Sequence, residues 1–382
     1  MSMLLSHSNK SFVFNRKLRR KLSKLTRVIQ EYPLFNLRQN AKYTTADVIS
    51  RVITAAIEKQ SLEAIHKTSG GISADDALHH LKYKTLIPDI ENMLFELLDT
   101  KFIKFFRRKF PQIEKLIAID FTAEMFFGDK ECEYVTGYKP QDGSYYCFKF
   151  FTVSLLMPEG KYLLFSYPAY RDSDKVWLLN RAFCFLKKLG VAPKLCLMDR
   201  EFYAVDVLAF CRGERTKYLI PARQDSHFER TVKQFKGLPA LFRDYEITNA
   251  SHESEWTNLV VMDSVDTQEK KIFGFITNIL ENDYKEDVYI LVDIYKRRWR
   301  IETAHRVHDN FRIMTCCKEG NVRYFFFIVA VILYNLWIYL NLLMHDPSSE
   351  VYRIKITVYE MKKLIDDFFQ DHQWRIPIAI AM

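Results

Sequence analysis

The chain has 382 residues, 48% hydrophobic and 15% aromatic, with 30 Phe and 21 Tyr. That excludes disordered and fibrous classes and suffices for two or three domains or one elaborated domain. A formal net charge of +9 admits a polyanionic partner through phosphate neutralisation without requiring one.

The opening stretch Met1–Lys10 is polar, and the seven cysteines include no C-x-x-C pair. Neither a zinc site nor a disulfide framework is implied, and a reducing cytoplasm is the expected compartment. Arg16-Lys17-Leu18-Arg19-Arg20-Lys21, with Lys24 and Arg27 beyond it, reads as a basic helix, open to phosphate contact or to an ordinary solvated face. Thr44-Thr45-Ala46-Asp47 opens an apolar-periodic segment to about Gln60. Gly70-Gly71 is a break, and Ser73-Ala74-Asp75-Asp76 has the capping-box pattern before another helix. A helix from Ile90 to Lys109 completes a helical N-terminal region over 1–112.

Lys115-Leu116-Ile117-Ala118-Ile119-Asp120 and Lys194-Leu195-Cys196-Leu197-Met198-Asp199 are short apolar runs that end in aspartate. Each suits a strand covered on both faces of an α/β sheet, with its aspartate at the strand exit where such sheets place ligand sites. Two such strands side by side would bring two carboxylates together, which repel unless cations are bound, and this points to magnesium. The plain alternative for either residue is an Asp that opens a turn or caps a helix.

Between the two runs, Tyr145–Met157 and Lys161–Tyr167 read as a hairpin about Pro158-Glu159-Gly160, and Asp174–Leu189 as a helix closed by Gly190. A helix around Ala204–Cys211 and a strand Lys217–Pro221 follow. From 222 to 285 the stretches Tyr245–Thr248, Trp256–Met262 and Lys271–Thr277 read as a β-rich insertion.

The segment from Tyr295 to Asp309 reads as a helix. At about 100° per residue, Tyr295, Arg298, Glu302, Arg306 and Asp309 share one charged face, and Ile301, Ala304, Val307 and Phe311 lie opposite. A solvated face with a Glu302–Arg306 pair is the plain reading. Tyr324–Met344 is apolar for about the length that crosses a bilayer, but it is aromatic-heavy and interrupted by Asn335 and Asn341, so a helix buried in protein is expected. The tail from 346 to 382 reads as helical.

Tyr295, Arg298 and Glu302 stand two and three residues apart, in the spacing of a Y-R-E-K signature, with Asp309 where its lysine belongs. With Ile119-Asp120-Phe121-Thr122, Phe127-Gly128-Asp129, Met198-Asp199-Arg200-Glu201-Phe202-Tyr203, Arg323-Tyr324 and Tyr334-Asn335-Leu336-Trp337, the chain resembles the DDE transposases of prokaryotic insertion sequences that cut and paste. The resemblance covers roughly 113–345.

It implies an α/β fold with a ribonuclease-H-like catalytic core (113–221 and 286–345), interrupted by the β-rich insertion, and a DNA-binding role for the helical N-terminal domain. It further implies that Asp120, Asp199 and Glu302 hold two Mg²⁺ ions, for which Mn²⁺ substitutes, while element ends are cut and joined to target. Tyr295 and Arg298 would bind phosphate, and Trp299 would stack on a displaced base. Arg306, or else Arg312 or Lys318, would replace the missing lysine. The implied partners are double-stranded DNA, as terminal inverted repeats and target, and a second copy in a homodimer. No membrane is implied, and the protein would be nucleoid-associated in the cytoplasm. Two other readings stay open: a two-metal nuclease that cuts without joining, and an inactive DNA-binding relic, which Asp309 favours.

Overall fold

The computed structural model describes residues 32, 34–35, 37, 41–109, 116–128, 131–132, 134–157, 160–170, 172–233, 239–263, 272–284, 287–344 and 356–371, without the side chains of 100–101, 107, 109, 299–306 and 368–371. The basic run Arg16–Lys21 lies outside these residues, as do Pro158, Glu159 and Asp129. In chain order the elements are α1 Thr45–Glu58, α2 Leu62–Ser69, α3 Ala74–Lys84, α4 Ile87–Leu97, a π-helical turn Leu98–Ile103, α5 Lys104–Lys109, β1 Leu116–Phe126, β2 Val135–Gln141, β3 Ser144–Met157 and β4 Gly160–Ala169. They continue with α6 Lys175–Lys188, β5 Leu195–Met198, α7 Val205–Gly213, β6 Lys217–Pro221, α8 Ser226–Lys233, β7 Ala240–Thr248, β8 Ser254–Asp263, β9 Ile272–Thr277, α9 Ile290–His308, α10 Gly320–Met344 and α11 Val358–Asp371.

The chain divides into two compact units. The first comprises Met1–Pro111, Met125–Phe148 and His305–Met382, and the second Gln112–Glu124 and Lys149–Ala304. In the first, Thr44 caps α1: its Oγ1 accepts from Asp47 N at 3.2 Å, while Asp47 Oδ2 accepts from Thr44 N at 2.6 Å. This reciprocal pairing satisfies two amides that the helix leaves without partners. Helix α10 packs against α1, α3 and α4. It is apolar enough to cross a membrane, yet 94% of its most apolar stretch is buried in protein. Asn341, which breaks the apolar run, serves the packing: its Nδ2 donates to the carbonyls of Trp337 and Ile356, and its Oδ1 accepts from Ile356 N at 2.9 Å. A buried amide matched this way costs little. Strand β2 pairs with Ser144–Phe148 of β3. It was not anticipated, because Val135–Gln141 is mostly exposed and lacks apolar alternation.

The second unit is a mixed sheet in the order β4-β3-β1-β5-β6-β9-β8-β7. Antiparallel β3 and β4 form the expected hairpin, and β1, β5 and β6 are parallel. The order β4-β3-β1-β5-β6 is that of a ribonuclease-H-like core, and the fold is mixed α/β. Helix α6 starts where Asp174 accepts from Val176 N and Trp177 N and stops before Gly190, whose φ of +67° places it in the left-handed region that glycine enters without a Cβ penalty. It covers β4, and α7 covers β6 and β8. The insertion strands do not form a separate sheet; β9 pairs with β6 and extends the core sheet.

One expectation was wrong. Asp120 does not stand at a strand exit, because β1 runs on to Phe126. Thr122 to Phe126 lack the continuous apolar run that marks Leu116–Ile119, so the sequence pattern ended where the hydrogen-bonded strand did not.

Candidate active site

Parallel pairing of β1 with β5 sets Leu116 opposite Leu195 and, in register, Ile119 opposite Met198. One step further, Asp120 and Asp199 are the next pair. Arg298, carried by α9, faces both: its Nη2 lies 3.4 Å from Asp120 Oδ1 and 3.6 Å from Asp199 Oδ2. Those two carboxylate oxygens are therefore no further apart than about 7 Å. The side chains are only 16%, 28% and 12% exposed for Asp120, Asp199 and Arg298, so their charges act across a poorly solvated gap.

Both carboxylates also accept from backbone, Asp120 through the oxygen that faces Arg298 and Asp199 through its other one. Asp120 Oδ1 also accepts from Phe121 N at 2.9 Å, and Asp199 Oδ1 accepts from Glu201 N at 2.8 Å, capping the short 3₁₀ turn Arg200–Phe202. The capping reading of Asp199 holds for Oδ1, and Oδ2 is the oxygen turned toward Arg298. Burial, followed by repulsion from Asp120, raises the Asp199 carboxyl to about 6, against the lowering effect of Arg298 and of the Glu201 amide.

Tyr295 is buried at 7% exposure and its hydroxyl donates to Met198 O at 3.3 Å. Its ring packs 5.0 Å from that of Phe275, and Arg298 lies over its face at 5.6 Å. Burial pushes the phenol pKa upward. Here Tyr295 braces the strand end that presents Asp199, and Arg298 leans on Tyr295.

Sequence reasoning missed Lys161. It lies in β4 with 1% exposure, and burial lowers its amine to about 7, with Asp120 opposing that shift and Arg298 adding to it. The available signal is a lysine opening the apolar run Tyr162–Phe165, which reads as a strand start. Lys149 was missed too. It lies 4.1 Å over the Phe121 ring and pairs with Glu201 at 2.5 Å, tethering the turn that follows Asp199.

Glu302, Trp299 and Arg306 belong to α9, with side chains outside the described residues; position 302 is one turn along the helix from Arg298. The helix runs to His308, and Asp309 opens the 3₁₀ turn Asp309–Phe311 directly after it.

Among the described residues no cluster of three or more Asp, Glu, His or Cys forms a metal site. The two described carboxylates nevertheless fit a hard divalent cation. They are oxygen donors, Asp120 raises the cost of ionising Asp199, and they already draw a cationic side chain toward both.

Residues 172–336 match the transposase DDE domain family. The transposase DDE match takes in Asp199, Tyr295, Arg298 and Glu302 and leaves Asp120 outside it. No curated protein matches the chain. Among solved structures, the chain is similar to a cryo-EM structure of a piggyBac transposase synaptic complex with hairpin DNA. The TM-score is 0.54 and the identity 13%, over 94% of this chain and 83% of that one. At that identity the likeness shows the fold alone.

Proposed function

We propose that this chain is a DNA transposase that cuts element ends and joins them to target DNA. The observation that carries this is the register that sets Asp120 beside Asp199, with Arg298 facing both, on a ribonuclease-H-like core that matches a transposase DDE domain. Asp120 and Asp199, with Glu302 as third ligand, would hold two Mg²⁺ ions. Bound there, the ions supply charge stabilisation for the attacking and leaving oxygens of an in-line displacement.

The chain's own residues do the rest. Arg298 carries a planar, permanently charged fork suited to a backbone phosphate, and the arriving phosphate takes over the counter-charge role that the carboxylates fill in its absence. Tyr295 is assigned to positioning, through Met198, rather than to phosphate contact. In cleavage, water attacks the phosphorus at the element end and the 3′-oxygen of the cut strand leaves as a 3′-hydroxyl; in joining, that 3′-hydroxyl attacks a phosphorus of the target strand, and the target's own 3′-oxygen leaves in turn. The narrower Y-R-E-K assignment, homodimeric action on terminal inverted repeats and residence at the nucleoid are what the resemblance carried by Tyr295, Arg298 and Glu302 implies, and they belong to this proposal.

The test uses purified full-length protein with duplexes bearing the inverted repeats that flank its gene. Mg²⁺-dependent cleavage and strand-transfer products are expected from wild type. Asp120→Asn or Asp199→Asn should abolish both while duplex affinity stays near wild type, because metal chemistry and phosphate anchoring are separate contributions. Cleavage that survives both substitutions would remove the assignment. Cleavage without joined product would make the chain a nuclease, and binding without cleavage a relic.

A further inference from the structure

The first unit holds a cavity of about 310 Å³, between the residues that follow β1 and the loop Arg312–Glu319 that precedes α10. Phe126, Phe127, Arg312, Met314, Lys318 and Arg323 are its chief walls. Its volume is at the lower end of the roughly 300–1,000 Å³ typical of small-ligand sites. Three of those residues are cationic, and none of the described lining residues is acidic.

The floor is built rigidly. Arg323 is 5% exposed; its Nε donates to Cys317 O at 2.8 Å and its Nη2 to Thr315 O at 3.0 Å. Its guanidinium lies over the rings of Phe126 at 5.6 Å and Phe148 at 4.9 Å. Gly128 passes so close to the Phe126 ring that a Cβ there would meet it at 2.4 Å. Met314 N donates to Gln60 O at 3.2 Å, which fixes the far side of the loop. Arg323 is thus committed to holding the loop, and Arg312 and Lys318 are the cations at the rim. Asp309, which Arg312 influences, lies outside the lining.

On this fixed frame Phe127 is 68% exposed and Met314 52%. Each leaves more than half of its surface open beside the cavity, which the packing of the fold alone does not require. An exposed aromatic next to cations is the combination that takes unpaired nucleotides: the ring stacks on a base and the cations hold its phosphate.

We propose that this cavity binds one unpaired nucleotide of a DNA strand, with its base against Phe127 and its phosphate on Arg312 and Lys318. The proposal rests on the reading of the chain as a DNA-processing protein only for the source of that strand. Binding itself needs neither metal nor cleavage.

The test is made in EDTA with full-length protein and a single-stranded oligodeoxynucleotide carrying one 2-aminopurine. Binding should quench the 2-aminopurine fluorescence. Phe127→Ala should remove the quenching and weaken binding roughly ten- to a hundredfold, the range for one stacked base, while Phe127→Trp restores both. Since Phe127 is largely exposed, unchanged thermal unfolding of these variants is expected and is checked directly. Arg312→Gln and Lys318→Gln should each flatten the slope of log affinity against log salt by about 0.7.

Cys316, exposed and in the cavity wall, gives a second reading: the oligonucleotide should protect it from alkylation, followed by mass spectrometry, and polyglutamate should not. Wild-type quenching in Phe127→Ala, or protection by polyglutamate but not by DNA, overturns the proposal. A protein that cuts duplex ends yet shows either result loses this cavity assignment alone. One that quenches as expected but never cuts loses the transposase reading alone.

Discussion

Replacing Arg298 by Gln removes the only described cation within 4 Å of both site carboxylates. At separations of 3.4 and 3.6 Å and an effective dielectric constant of about 20, each charge pair amounts to roughly 5 kcal/mol before solvent trims it. With side chains 12% to 28% exposed, an upward shift of about one to two pK units for Asp199 is expected.

The wild-type carboxyl already titrates at about 6, above its unfolded value. Its contribution to folding is therefore fully present below pH 4 or so and is lost as pH rises through about 6, a change of about 3 kcal/mol at most. In Arg298→Gln the loss extends to higher pH, so the metal-free variant should be less stable than wild type near neutrality and more nearly equal to it in acid. The direct assay is NMR of metal-free protein with ¹³C in the aspartate carboxyls, the Asp199 signal being assigned from Asp199→Asn. Above the new midpoint Mn²⁺ should bind the variant more tightly, since a competing cation has gone. An unchanged Asp199 midpoint in Arg298→Gln would refute the reasoning.

The Lys161 amine, lowered to about 7, leaves the folded state one proton short of the unfolded state up to the ordinary lysine range. Stability should therefore rise with pH across that window by several kcal/mol, and Lys161→Met should remove that part of the slope, as read from urea unfolding at a series of pH values. Gly320→Ala would set a Cβ 2.0 Å from the Tyr134 ring at the start of α10, and a loss of about 1–3 kcal/mol is expected in the same measurement. Tyr295→Phe removes the hydroxyl that donates to Met198 O, with an expected cost of about 1 kcal/mol and a weaker Mn²⁺ affinity from a less firmly held Asp199. A variant equal to wild type in both would leave Tyr295 without its positioning role.

The strands that carry the two aspartates were legible because both are covered on both faces and so read as unbroken apolar runs, and the helix before Gly190 was legible from its glycine stop. Their adjacency was only conditional in the sequence, since pairing of β1 with β5 is a contact between distant residues that no local pattern encodes. Lys161 and Lys149 could not be found that way. A lysine at a strand start looks solvated, and only the tertiary fold buries Lys161 or turns Lys149 onto Phe121 and Glu201. The change to 3₁₀ geometry after His308 was not legible either, because no proline or glycine announces it.

Helix α10 has a consequence during synthesis. A stretch this apolar, leaving the ribosome alone, has the composition that membrane-insertion machinery recognises and that unfolded chains aggregate through. Its packing partners α1, α3 and α4 all precede it by more than two hundred residues in the chain, so they have emerged before it does. The order of the sequence thus provides a waiting receptacle for its most hazardous segment. A circularly permuted chain that makes α10 first should pellet or reach the membrane fraction, although every residue it contains is the same.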